Sequence, residues 1–157
     1  MENVDGLLTQ AKSGIDSLEV SKKYVDSAMK WLGIWLTDDA FSDYVPQIRH
    51  LFKSENWNVL LDSFYQVIPF GTGGRRGLVG VGPNRINTWT IQASAQGHCQ
   101  YLIRQYGDEA QQRGVVLTFD VRKYTQTGIY DDTLPNPVIT STDFSWQPPP
   151  QRCMPPT

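Results

Sequence analysis

Residues 70–87 read FGTGGRRGLVGVGPNRIN, and the reading of this stretch decides the fold. Six glycines surround two adjacent arginines, Arg75 and Arg76, directly after a strongly helical region. Glycine at this density excludes a stable helix. "GLVGVG" alternates glycine with apolar residues, the pattern of a strand that another backbone approaches closely, and "GPNR" is a turn signal. A hairpin turn with solvated arginines is the commoner use of such a stretch. The alternative is an anion nest, in which consecutive backbone N–H groups face a phosphate and two guanidinium groups add charge-assisted contacts. Neither standard phosphate motif is present: no lysine follows a glycine as a P-loop requires, and Arg76 stands where the third glycine of G-x-G-x-x-G should be.

Upstream, residues 17–36 place Val20, Tyr24, Val25, Ala28, Trp31, Leu32 and Trp35 at helical spacing. A second helix is expected after "TDDA", where Asp38 and Asp39 suit an N-terminus. Its stripe is Phe41, Tyr44, Val45, Ile48, Leu51 and Phe52, with Pro46 in its first turns. A third begins near Ser54 and carries Trp57, Leu60, Leu61, Phe64 and Tyr65 on one face. Aromatic stripes at this spacing are packing surfaces first.

Downstream, a helix runs from Asn87 or Thr88 to Tyr106, with Ile91, Ala95, His98 and Leu102 on one face and Gly107 as its stop. "GVVLTFDVR" reads as a buried strand. Strand, helix and strand in this order predict an α/β unit preceded by a helical extension. Asp120 and Arg122 fall at that strand's C-terminal end, where α/β proteins gather ligand-binding groups; a structural ion pair is the plain alternative.

The bulk properties set the outer limits. The chain has 157 residues, 39% hydrophobic and 19% charged, which suits one folded domain. A net charge of −2 argues against a general nucleic-acid binder. Two cysteines, Cys99 and Cys153, make no disulfide framework and suggest a reducing, cytoplasmic setting. No signal-like or membrane-spanning apolar run occurs. His50 and His98 have no partner at metal-ligand spacing, so no metal site is predicted.

Taken together, "FYQVIPFGTGGRRGLVGVGPNRINTWTIQASAQGHCQYL", "VLTFDVR" and "YDDTLPNPVI" resemble the first domain of the α-D-phosphohexomutases, in the phosphoglucomutase and phosphomannomutase branch that carries a helical N-terminal extension. The family motif F-G-T-x-G-x-R-G maps onto Phe70, Gly71, Thr72, Gly73, Gly74, Arg75, Arg76 and Gly77. The resemblance covers roughly residues 35–144 and implies three segments. These are a helical extension (1–69), a partial domain I with a mixed sheet and helices (70–144), and a proline-rich tail (145–157).

It also implies a chemistry. Such enzymes move a phosphoryl group between the 1- and 6-hydroxyls of a hexose phosphate through a phosphoserine, with Mg2+ shielding the serine phosphate. Arg76 would stand beside the phosphoserine in a supporting catalytic role. Thr72, Gly73, Gly74 and Arg122 would help bind phosphate. The chain departs from the family in having no Ser-His-Asn-Pro loop and no D-x-D-G-D-R metal loop. The expectation is therefore no mutase activity and no metal for this polypeptide by itself. A phosphosugar-binding module and a helical interaction module remain alternatives, and an exposed sheet edge at 114–120 would favour self-association. The tail, "WQPPPQRCMPPT", has five prolines in twelve residues. Back-translated and read one base earlier it can encode an alanine-rich helix former, so a shift of reading frame near residues 144–146 is expected, against a natural proline-rich end.

Overall fold

The computed structural model describes residues 3–116 and 128–134. Its elements in chain order are α1 (Val4–Asp16), α2 (Lys22–Thr37), a 3₁₀ helix (Asp39–Tyr44), α3 (Val45–Lys53), α4 (Trp57–Phe64), a hairpin of β1 (Phe70–Gly71) and β2 (Gly74–Arg75), α5 (Thr88–Tyr106) and the short α6 (Glu109–Arg113).

Helix α1 lies within the helical extension expected at 1–69, in a stretch where apolar spacing marked no individual helix. Leu7, Ala11 and Ile15 recur at every fourth position and are its buried residues, and Asn3 caps its start by accepting from the Asp5 amide. Helix α2 packs against it through Val25, Ala28, Leu32, Trp35 and Leu36. It starts at Lys22, five residues later than its apolar spacing suggested, because the turn after α1 and a non-helical link occupy residues 17–21. The single helix expected after "TDDA" is two elements. Asp38 caps a 3₁₀ turn through the Ala40 amide, and α3 then begins with Pro46 in its first turn. Proline has no N–H to donate, so it starts a helix readily and cannot continue one.

Trp35, fully buried, is the centre of the core. Its ring stacks on Phe41 at 4.3 Å and meets Tyr44, Phe64 and Trp89 edge-on at 4.8, 5.6 and 5.7 Å. Offset and edge-to-face geometries suit the ring quadrupoles. Val81 and Tyr130 belong to the same apolar cluster, so the glycine stretch is packed onto the helical part.

Two expectations are corrected. Among the described residues the fold is mostly helical, and its one sheet is the two-stranded antiparallel hairpin rather than a mixed α/β sheet. "GLVGVG" forms no strand: Leu78 and Gly80 exchange hydrogen bonds with Ile86 at 2.8 and 3.1 Å, a single bridge between Val79 and Ile86. The glycines there serve close approach by side chains and by a helix end. Helix α5 has the expected bounds, capped by Asn87 and stopped at Gly107, but Thr90 is its one buried residue. Ala95 and His98, placed on a packing face by their spacing, are exposed. Of the strand expected at 114–120, residues 114–116 form no strand and Val115 and Val116 are exposed; the remainder, Arg122 and the proline-rich tail lie outside the described residues.

Candidate functional site

The hairpin is the smallest possible for its sequence. Phe70 pairs with Arg75 and Gly71 with Gly74, leaving Thr72 and Gly73 as the connection. Thr72 and Gly73 are exposed, and no atom lies within 4 Å of where a Cβ would stand on Gly73 or Gly74. The space over the turn is open. Arg76 follows β2 and is exposed, whereas Arg75 is partly buried. The Nε and Nη1 atoms of Arg75 are withdrawn from water and have no hydrogen-bond partner among the described residues.

Below the hairpin the chain is held firmly. Ile68 donates its amide to the Pro83 carbonyl at 2.9 Å. The turn at 82–85 then docks on the C-terminal end of α4, whose last carbonyls need donors. The Asn84 amide donates to Ser63 at 3.0 Å and its side-chain Nδ2 donates to the Asp62 carbonyl at 2.7 Å. Gly82 has φ +114°, and a Cβ there would come within 2.5 Å of the Ser63 carbonyl oxygen. Only glycine satisfies both demands.

Asn87 joins the loop to α5. Its Oδ1 accepts from the Thr90 amide at 3.0 Å, while Thr90 Oγ1 accepts from the Asn87 amide at 3.0 Å, a reciprocal cap. Its Nδ2 donates to the carbonyls of Gly80 and Gly82 at 2.9 and 2.8 Å. One buried side chain thus starts the helix and fixes the glycine loop.

A second clamp comes from residues 128–134. The Val81 amide donates to Tyr130 Oη at 2.9 Å, and burial raises the Tyr130 hydroxyl above its ordinary pKa of 10.0. Gln47, fully buried on α3, donates to the Asp131 carbonyl at 2.8 Å and accepts the Asp131 amide at 3.1 Å, as a neighbouring strand would. Asp131 is held below the usual carboxylate range by hydrogen bonds from Thr133, with His50 at 3.9 Å a lesser cause.

A groove of about 280 Å³ opens between α4 and this clamp, lined by Val59, Asp62, Leu78, Arg85, Ile129 and Tyr130. Thr72, Gly73, Gly74 and Arg76 lie outside its lining. Of the residues expected to bind phosphate, Thr72, Gly73 and Gly74 lie on the hairpin and Arg122 lies outside the described residues, and Arg76, expected in a supporting catalytic role, directly follows β2. Among the described residues no three His, Cys, Asp or Glu side chains converge to hold a metal, so none is assigned to Mg2+. Sequence reasoning missed Asn87 and Tyr130 as holders of the loop, and Gln47 as the holder of the segment that carries Tyr130. For Asn87 a signal existed, an asparagine immediately before a helical run.

About half to three fifths of the chain shows partial similarity to members of the phosphohexomutase superfamily. It is similar to a human phosphopentomutase, 35% identical over 94 residues, which are 60% of this chain and 15% of that protein. A mouse glucose 1,6-bisphosphate synthase is 35% identical over 91 residues, 58% of this chain and 14% of that one. A Staphylococcus aureus phosphoglucomutase is 31% identical over 75 residues, 48% and 13% respectively. The chain thus spans about 15% of the length of these relatives. No protein-family model matches it. No solved structure matches it either. Among the described residues no helix is long and apolar enough to cross a membrane.

Proposed function

We propose that this chain supplies the phosphate-recognition loop of a sugar-phosphate mutase, an enzyme that moves a phosphoryl group between hydroxyls of one sugar. The observation that carries the reading is the hairpin itself. Thr72, Gly73 and Gly74 leave an open turn, and Arg76 stands exposed beside it. In phosphoryl transfer the protein contributes mainly position and charge stabilisation. A guanidinium matches phosphoryl oxygens in shape as well as charge. Arg76 would hold the phosphoryl oxygens, and the turn's backbone N–H groups and the Thr72 hydroxyl would complete the contact.

The substrate class is a hexose phosphate transferring between its 1- and 6-hydroxyls, or a pentose phosphate, given the relatives named above. No serine of the 157 residues is followed by His-Asn-Pro, so this polypeptide binds the phosphorylated sugar without the covalent step. Magnesium would be held by residues other than those described.

Thermal unfolding with glucose 1-phosphate tests the reading. Binding to the folded state stabilises by RT ln(1 + [L]/Kd), so the wild type should gain stability and Arg76→Ala should lose that gain. A coupled assay should find no turnover. Equal gains in both proteins would refute the role of Arg76, and turnover by the purified chain would refute binding without chemistry.

A further inference from the structure

Arg75 and Arg76 are neighbours in sequence with opposite surroundings. Arg76 is in water, whereas Arg75 has Nε and Nη1 shielded from water and unpartnered among the described residues. A guanidinium cannot escape this by losing its proton. Its withdrawn N–H donors are costly until an acceptor reaches them, and an anionic acceptor suits them best.

We propose that Arg75 is a second anion-binding residue of the hairpin, completing its buried donors with an oxygen of a phosphoryl group. This goes beyond the motif above, which leaves the position of Arg75 open, and it rests on the reading that the chain binds a phosphorylated sugar. Three observations support a phosphoryl group. Where a Cβ would stand on Gly73 and Gly74, the residues before Arg75, nothing lies within 4 Å, so an anion has room at the turn and the Arg75 side chain must turn outward to meet it. The exposed Arg76 adds a second positive charge at the same hairpin. The chain as a whole carries −2, so this cationic spot is local and not part of a generally basic surface. Shared phosphate chemistry leaves two sources, free phosphate and the phosphate of a sugar, and the test has an arm for each.

The experiment is thermal unfolding of the full chain as wild type, Arg75→Leu and Arg76→Ala. Each is measured in inorganic phosphate, in glucose 1-phosphate, and in chloride of matched ionic strength. The wild type should gain about 5–10 °C near a hundredfold excess over Kd. Arg75→Leu should lose that gain in both ligands while its melting temperature in chloride equals or exceeds the wild type's, because two withdrawn, unpartnered N–H donors have been removed. Arg75→Lys keeps the charge but not the planar donors. It should lose most of the gain too, and it decides the matter if the leucine variant does not fold.

A fall of the chloride melting temperature in both Arg75 variants would mean a partner within the chain, and would overturn the proposal. So would a full phosphate gain in them, or no gain in the wild type. The two readings fail separately. If only Arg76→Ala loses the glucose 1-phosphate gain, the sugar-phosphate reading stands and the role of Arg75 falls. If Arg75→Leu loses the inorganic-phosphate gain while glucose 1-phosphate does nothing to the wild type, the anion site stands and the sugar-phosphate reading falls.

Discussion

Arg85 Nη1 lies 2.5 Å from Asp62 Oδ2, and the two ends of this ion pair differ sharply in exposure, 7% for the arginine side chain and 52% for the aspartate. The pair ties the turn that follows the glycine stretch to α4. Removing the aspartate leaves a buried cation without its counter-ion, with the neutral Tyr130 hydroxyl still beside it, whereas removing the arginine leaves a carboxylate that water can solvate. Asp62→Ala should therefore cost about 2 kcal/mol, below the figure for a fully buried pair because Asp62 is half in solvent. Asp62→Ala combined with Arg85→Met should recover part of that loss. Urea denaturation of the two singles and the double measures the coupling, and simple additivity would show that the pair contributes nothing.

The glycine loop hangs on Asn87, and its two tasks can be separated. Asn87→Ala removes the cap of α5 and the donors to the Gly80 and Gly82 carbonyls. A lost cap costs about 1 kcal/mol and each buried group left unpaired about 1 kcal/mol or more, so about 2–4 kcal/mol in all is expected. Asn87→Ser keeps a capping oxygen and should fall between wild type and alanine. Equal losses for serine and alanine would mean that the cap contributes nothing.

Glycines in one stretch should respond in opposite ways. Gly82→Ala puts a Cβ within 2.5 Å of the Ser63 carbonyl oxygen on a backbone at φ +114°, and should cost about 3 kcal/mol or more. Gly73→Ala meets nothing within 4 Å and should stay within about 0.5 kcal/mol. Melting temperatures of the two variants suffice to check this. Comparable losses would place the hairpin turn against other structure.

These contrasts show how much of the loop was legible in advance. Glycine density at 70–87 announced a tight, non-helical segment, and the turn at "GPNR" is where the sequence put it. The solvated arginines expected there hold for Arg76 alone, since Arg75 is partly buried and Arg85 buried. A strand at "GLVGVG" did not follow, because alternating glycine serves equally to admit a foreign side chain. At Gly80 that visitor is Tyr130, fifty residues away, and no local pattern reports it. Helix α1 was missed because its buried stripe is thin, with a small Ala11 between Leu7 and Ile15. The difference between Arg75 and Arg76 depends on burial, which sequence adjacency cannot carry.

Alkaline pH should loosen the clamp at Tyr130. Burial raises this hydroxyl above 10.0, so the neutral form is favoured in the folded state and its contribution is complete below about pH 10. As pH rises through the folded value, the unfolded chain ionises first and stability is lost. Tyr44, raised for the same reason, adds to the same limb. Tyr130→Phe should lower stability at neutral pH, because the Val81 amide loses its acceptor, and should flatten the decline above pH 10. An unchanged alkaline slope in that variant would mean that Tyr130 ionises equally easily in both states.

Helix α5 should divide energetically within its first turn. Trp89, partly buried, packs on Trp35 and Phe41 at 5.7 Å from each and donates its amide to Tyr44 Oη, so it is tied to the aromatic core. Two residues on, Ile91 is 57% exposed, and Tyr101 is 58% exposed a few turns later. Trp89→Ala should cost about 2 kcal/mol, below the range for emptying an aromatic site in a core because Trp89 is partly exposed. Ile91→Ala should stay within about 0.5 kcal/mol, as surface replacements generally do. Hydrogen exchange offers the independent measurement: amides in the first turns, tied to the core through Trp89 and Thr90, should exchange with the global unfolding rate, and those towards Tyr106 should exchange by local fraying. A loss at Ile91 comparable to that at Trp89 would show that the outer face of α5 is covered in solution.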